Sequence, residues 1–341
     1  MARRGAAPPP RPPAVEALRV GGQLVKRGQR RRLELPVARL PTGTALSLPV
    51  TALRGRRPGP VVWMSGALHG DEVNGTEIIR RVVRELDPGT LGGAVIAVPI
   101  VNVYGFIERS RYLPDRRDLN RSFPGSPVGS LASRLAHLFL TEIVSLCSHG
   151  IDFHTGAQRR RNLSHVRADL GNPEALRLAR AFGAPIIYDP GRIVGSLRAA
   201  AYRRKIPILV YEGGEPSRFA DDVIETGVQG TLRVLAALGM WEGRELPPPQ
   251  PCYEATVARW LRAGRSGILG LETALGDRVQ KGQVLARIAD PFSGRRRVVR
   301  APFSGLVFSL TTNPLVYQGD AILRLVRLEK RPPRKKRAPP P

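Results

Sequence analysis

The feature that most constrains this chain is a set of short, uninterrupted apolar runs with helical segments placed between them. Gly59-Pro60-Val61-Val62-Trp63-Met64-Ser65-Gly66, Ala94 to Val101, Gly150 to His154, Ala184 to Tyr188 and Ile206 to Tyr211 read as buried strands. Apolar spacing predicts helices over Glu72 to Leu86, Leu131 to Leu146, Pro173 to Phe182 and Ala220 to Met240. A strand that is apolar on both faces must be covered on both, which a largely parallel or mixed sheet between helical layers achieves. Shorter alternating runs between Leu18 and Val50, such as Arg32-Leu33-Glu34-Leu35-Pro36-Val37, predict strands leading into that sheet. The expected fold class is α/β, a mixed sheet flanked by helices.

The pattern changes after a Pro-rich stretch, Gly243-Arg244-Glu245-Leu246-Pro247-Pro248-Pro249-Gln250-Pro251. Beyond it, Val279-x-x-Gly282-x-x-Leu285-x-x-Ile288 recurs 37 residues later as Val316-x-x-Gly319-x-x-Ile322-x-x-Leu325. Upstream, Ser266-Gly267-Ile268-Leu269 matches Ser304-Gly305-Leu306-Val307 at an offset of 38. Two similar β-rich halves imply a small pseudo-symmetric sandwich, similar to the barrel-sandwich hybrid of biotinyl and lipoyl domains. The hairpin between the halves, Asp290 to Pro302, has arginines and no acceptor lysine, and Lys281 lies inside the first half, which argues against a swinging-arm carrier. The expected organisation is a large α/β domain over 18–243, a linker over 244–252 and an all-β domain over 253–328. Pro- and charge-rich tails over 1–17 and 329–341 cannot bury apolar surface and are expected to be disordered.

A formal net charge of +26 raises the question of nucleic acid, yet only six of the 54 basic residues are lysines. Most arginines stand singly among Ala, Gly, Pro and Leu, and aromatics make up only 6%. That pattern lacks the aromatic-interleaved basic stripe of a nucleic-acid reader. It leaves nonspecific attraction to polyanions and a field that favours an anionic substrate. No apolar stretch approaches the 18 residues of a membrane span, and Met1 to Pro13 lacks the apolar core of a secretory signal. Cys147 and Cys252 show no metal or redox spacing and fit buried free thiols, so a cytoplasmic location is expected. The sequence leaves room for a homo-oligomer and points to neither a membrane nor a specific nucleic-acid partner.

Four motifs hold the chemistry. His69-Gly70-Asp71-Glu72 follows a buried strand, and on a helical turn a His and a Glu three apart can face one way. Ile151-Asp152-Phe153-His154-Thr155-Gly156 places a second His at the carboxyl end of a strand, where open α/β sheets bind ligands. Together they offer the two imidazoles and one carboxylate of a catalytic zinc site, with Asp152 placed to orient a ligand. In Asp118-Leu119-Asn120-Arg121-Ser122-Phe123-Pro124-Gly125, the Asn120–Arg121 pair can hold a carboxylate. One of the preceding arginines, Arg109 or Arg111, can stabilise an oxyanion. Glu212, in Tyr211-Glu212-Gly213-Gly214 at a strand end, is suited to serve as a general base. His137, His149 and His165 lack comparable settings and read as surface or structural residues.

The order HGDE, DLNRSFPG, DFHTG and YEGG followed by a β-rich module resembles the succinylglutamate desuccinylase/aspartoacylase family, related in fold to zinc carboxypeptidases. The resemblance spans roughly Leu33 to Leu328. It implies one zinc ion per chain on His69, Glu72 and His154, Glu212 as catalytic base, and Asn120 and Arg121 on the substrate carboxylate. It assigns Arg111 to the scissile carbonyl and the β-rich module to the rim of the site, favouring small substrates. The implied reaction is hydrolysis of the amide, or an ester, of a small N-acylated amino acid or amine. The competing readings are a zinc metallocarboxypeptidase acting on peptides and a non-catalytic metal- or polyanion-binding protein.

Overall fold

A computed structural model of the chain describes residues 17–39, 42–157, 159–249 and 252–328; the expected tails, Ala17 apart, lie outside these. Four parallel strands form the middle of the main sheet, in the order Ile208–Gly214, His149–His154, Arg57–Ser65 and Gly92–Val98. Ala45–Arg54 and Gln29–Arg39 extend it antiparallel on one side. The apolar runs are continuous because both faces are covered. Trp63 and Ile96 point into a core shared with Leu135 and Phe139 of helix Leu131–Glu142. Their neighbours Val62, Met64 and Val95 point the other way, against Ile78, Phe182 and Leu232 of helices Asn74–Glu85, Pro173–Phe182 and Asp221–Ala237. Each such fully buried side chain contributes roughly 1.5–3 kcal/mol.

Local sequence sets the helix ends. Before helix Pro173–Phe182, Asn172 accepts hydrogen bonds from the backbone of Glu174 and Ala175. Pro173 opens the helix and Gly183 ends it at φ +79°, a left-handed conformation suited to glycine. The helix expected to run to Leu146 stops at Glu142 and finishes as a single 3-10 turn, Val144–Leu146.

On its other side the sheet continues through a strand that sequence periodicity did not predict, Arg160–Arg167, antiparallel to Ile208–Gly214. Gly305–Thr311, from the C-terminal segment, pairs with it, and Ala321–Val326 and Ala258–Arg262 follow outward. Among the described residues this gives one 13-stranded sheet that crosses from the α/β part into the β-rich part. Gly267–Leu271, Val284–Ala289, Arg296–Arg300 and Leu315–Val316 form a 4-stranded antiparallel sheet, and a separate apolar cluster fills the space between the two layers.

The internal repeat matches strand for strand. Arg278–Val279 and Val284–Ala289 of the first half correspond to Leu315–Val316 and Ala321–Val326 of the second. Gly282 and Gly319 make the equivalent turns at φ +87° and +94°, and Leu285, Ile288, Ile322 and Leu325 are buried at equivalent positions.

Candidate active site

The central parallel strands all end at one edge, and the motif residues collect there. Arg57–Ser65 leads into His69 and Glu72, His149–His154 ends in the second histidine, and Glu212 lies near the end of Ile208–Gly214. His69 and Glu72 do not share a helical turn. They sit in a tight turn closed by Glu72 N donating to His69 O at 3.1 Å, and the helix begins only at Asn74. Gly70 lets the helix Val103–Ile107 pack directly on that turn, because a Cβ there would lie 1.9 Å from the carbonyl carbon of Gly105.

His69, Glu72 and His154 are all buried, and one ligand atom from each lies within 4.8 Å of the others. The Glu72 carboxylate bridges the two rings, with Nδ1 of His69 on Oε1 and Nδ1 of His154 on Oε2, both at 2.8 Å. Thr155 N also donates to Oε2. The outer nitrogens are held as well: His154 Nε2 lies 2.8 Å from Asp152 and His69 Nε2 lies 3.2 Å from Asp118. Two imidazoles and a carboxylate, each ring oriented from outside by a second carboxylate, form a donor set that could hold a metal ion. Burial alone raises the Glu72 carboxyl, but the His69 and His154 rings overcome it and hold it well below the usual carboxylate range. Burial likewise works against a charged His154, and Asp152 and Glu72 reverse it.

Glu212, Arg111, Asn120 and Arg121 line the same cavity, of about 200 Å³. Arg111 pairs with Asp118 at 3.0 Å and brings Nη1 to 3.2 Å from both Glu72 Oε1 and His69 Nδ1. Asn120 accepts from Leu197 N through its side-chain oxygen, and Arg121 Nη1 donates to Asn120 O. Arg109 is exposed and outside the cavity. Of the two sequence readings of His165, surface or structural, the surface one fails: it is 1% exposed and lines the cavity, because its strand runs through the sheet. Burial and the neighbouring Arg167 push it down to about 3.

Several cavity residues were missed. Asn162 and Arg167 come from the unpredicted strand, Arg198 from helix Leu197–Arg203, and Trp260 and Arg324 from the C-terminal segment. The one signal for that strand was Leu163 and Val166 among polar residues, too short a pattern to count as alternation.

A profile of the succinylglutamate desuccinylase/aspartoacylase catalytic domain matches residues 58–238. The chain belongs to this family. It is 30% identical over 258 residues to an N-alpha-acetyl-L-2,4-diaminobutyric acid deacetylase of Halomonas elongata, covering 72% of this chain and 75% of that one. A crystal structure of a succinylglutamate desuccinylase/aspartoacylase from Rhodobacter sphaeroides superposes at a TM-score of 0.79 with 26% identity, over 89% of this chain and 98% of the other. The product-bound ectoine utilization protein EutE (DoeB) from Ruegeria pomeroyi has the same fold, at a TM-score of 0.79 and 24% identity over 88% and 94% of the chains. Among the described residues no helix is long and apolar enough to cross a membrane.

Proposed function

We propose that this family member is a zinc-dependent deacylase that hydrolyses the amide, or an ester, of a small N-acylated amino acid or amine. The observation that supports it most is the convergence of His69, Glu72, His154 and Glu212 on one small cavity at the carboxyl ends of the parallel strands. A zinc ion held by His69, Glu72 and His154 would supply a Lewis acid that brings the pKa of a water toward about 7. Glu212, facing the same cavity, would accept a proton from the attacking water and return it to the leaving amine. Arg111, beside the triad, stabilises negative charge that develops on the acyl oxygen. Asn120 and Arg121 hold the substrate carboxylate; the Asn120 oxygen is tied to Leu197 N, which leaves the amide NH₂ as donor.

Size and charge narrow the substrate. A cavity of about 200 Å³ lies below the roughly 300–1,000 Å³ typical of drug-sized pockets, which favours acylated amino acids over peptides. Six arginines line it against Glu72 and Glu212, which favours an anionic substrate over one with a free second amino group, as in diaminobutyric acid. Metal analysis coupled to a panel of N-acyl amino acids and C-terminal peptides tests the reading. One zinc per chain with turnover of the acyl amino acids is the expected result. Cleavage of the peptides alone makes the protein a carboxypeptidase instead.

A further inference from the structure

Glu212 does not face the cavity free. Its Oε1 accepts Arg167 Nη2 at 2.9 Å and its Oε2 accepts Asn162 Nδ2 at 2.8 Å. Both partners come from the strand Arg160–Arg167, where Arg167 stands opposite Val210 and so diagonal to Glu212. The two bonds are not equivalent. The neutral amide of Asn162 fixes the carboxylate plane, whereas the guanidinium of Arg167 occupies Oε1 with a charged hydrogen bond.

Arg167 is itself short of partners. Its Nε is buried without a hydrogen bond among the described residues, as are Nη1 of Arg198 and Nε of Arg324. All three side chains line the cavity although they come from separate parts of the chain. Their counter-charges are few: Asp189 pairs with Arg198, and Glu212 is shared with Arg167. Arg324 has the Tyr188 hydroxyl at 2.9 Å and rests near the faces of Trp260 and Phe308. Burial lowers both Arg198 and Arg324, and the charge of Arg167 adds to it. Three crowded guanidinium groups with unfilled donors form a place for an anion, since a buried donor left unpaired is costly.

We propose that Arg167 is a latch on Glu212 that the substrate itself displaces. An anionic group entering among Arg167, Arg198 and Arg324 takes the Arg167 guanidinium, and Glu212 stays aimed by Asn162 with Oε1 open to accept a proton. The inference rests on the reading of Glu212 as general base. In this reading a second anionic group on the substrate, beyond the carboxylate held at Asn120 and Arg121, becomes a condition for fast turnover as well as for binding.

The test uses size-matched pairs of N-acyl amino acids on the zinc-loaded enzyme. The second carboxylate is placed in the acyl group (succinyl against butyryl) or in the amino acid (glutamate against glutamine). Wild-type enzyme is expected to show kcat at least tenfold higher for the anionic member of one pair. In Arg167→Met the kcat of the neutral member is expected to rise while kcat/KM of the anionic member falls, so the two move in opposite directions. Parallel losses on both members overturn the latch, and so does a wild-type preference confined to KM, which reports uniform binding. Arg167→Gln reads the same split if the Met variant does not fold, and the wild-type comparison needs no variant. No turnover of any acyl amino acid sinks the deacylase reading, and the latch with it; turnover with parallel changes sinks the latch alone.

Discussion

Asp152 Oδ2 lies 2.8 Å from Nε2 of His154, two residues along the same strand, while its Oδ1 accepts the Ser65 hydroxyl at 2.7 Å. The carboxylate is 1% exposed and anchored to the neighbouring strand, so it fixes both the tautomer and the plane of the His154 ring. The zinc site proposed for His69, Glu72 and His154 therefore depends on a residue that does not touch the ion.

Asp152→Asn should weaken zinc binding by about 10–100-fold, the usual effect of losing a carboxylate behind a ligating histidine. Competition with a metallochromic chelator measures it. Unchanged affinity with unchanged secondary structure would count against the site.

Glu212→Gln should keep the metal and the fold but lose about 10²–10⁴ in kcat, the usual contribution of a positioned acid–base group. The glutamine can keep the bond from Asn162, so binding of a substrate analogue should survive. Zinc content and single-turnover rates, measured together, decide between a catalytic and a merely structural carboxylate.

His165 makes the fold sensitive to acid. Its folded value near 3 lies below the roughly 6.5 of an exposed histidine, so below about pH 6.5 the unfolded chain binds a proton that the folded chain refuses. Stability from this group is complete above pH 6.5 and is lost as the pH falls toward 3. Between pH 7 and 5 the wild type should lose about 2 kcal/mol more than His165→Gln. Urea unfolding at the two pH values gives the difference directly, and equal losses would show that the ring is not held neutral.

Gly150→Ala should destabilise the sheet beneath the site by at least about 1–3 kcal/mol, the cost of overpacking a core. A Cβ at Gly150 would come within 2.1 Å of the Trp63 ring on the adjacent strand, and both strands are enclosed by helices. A thermal melt reads the loss. Zinc affinity should fall too, because His154 lies four residues further along that strand.

Sequence legibility follows from how each element is buried. The parallel strands are covered on both faces, so they appear as unbroken apolar runs, and the residue that follows each run falls at the open edge of the sheet. That made His69, His154 and Glu212 readable by position. The strand Arg160–Arg167 was hidden because it lines the cavity with Asn162, His165 and Arg167, trading apolar periodicity for donors. Arg198 and Arg324 were hidden for another reason: in a chain with 54 basic residues, a functional arginine differs from its background only by where the topology places it.

The duplicated β unit has consequences for how its copies can drift. One copy contributes Gly267–Leu271 and Val284–Ala289 to the small outer sheet, while its twin contributes Gly305–Thr311 and Ala321–Val326 to the sheet that reaches the cavity. Equivalent positions of the two halves thus answer to different demands. Ile288 has only to fit the sandwich interior, whereas the residues around its counterpart Leu325 must also aim Arg324. Substitution should be freer in the first copy than in the second, and the symmetry of the pair should erode from the solvent side inward.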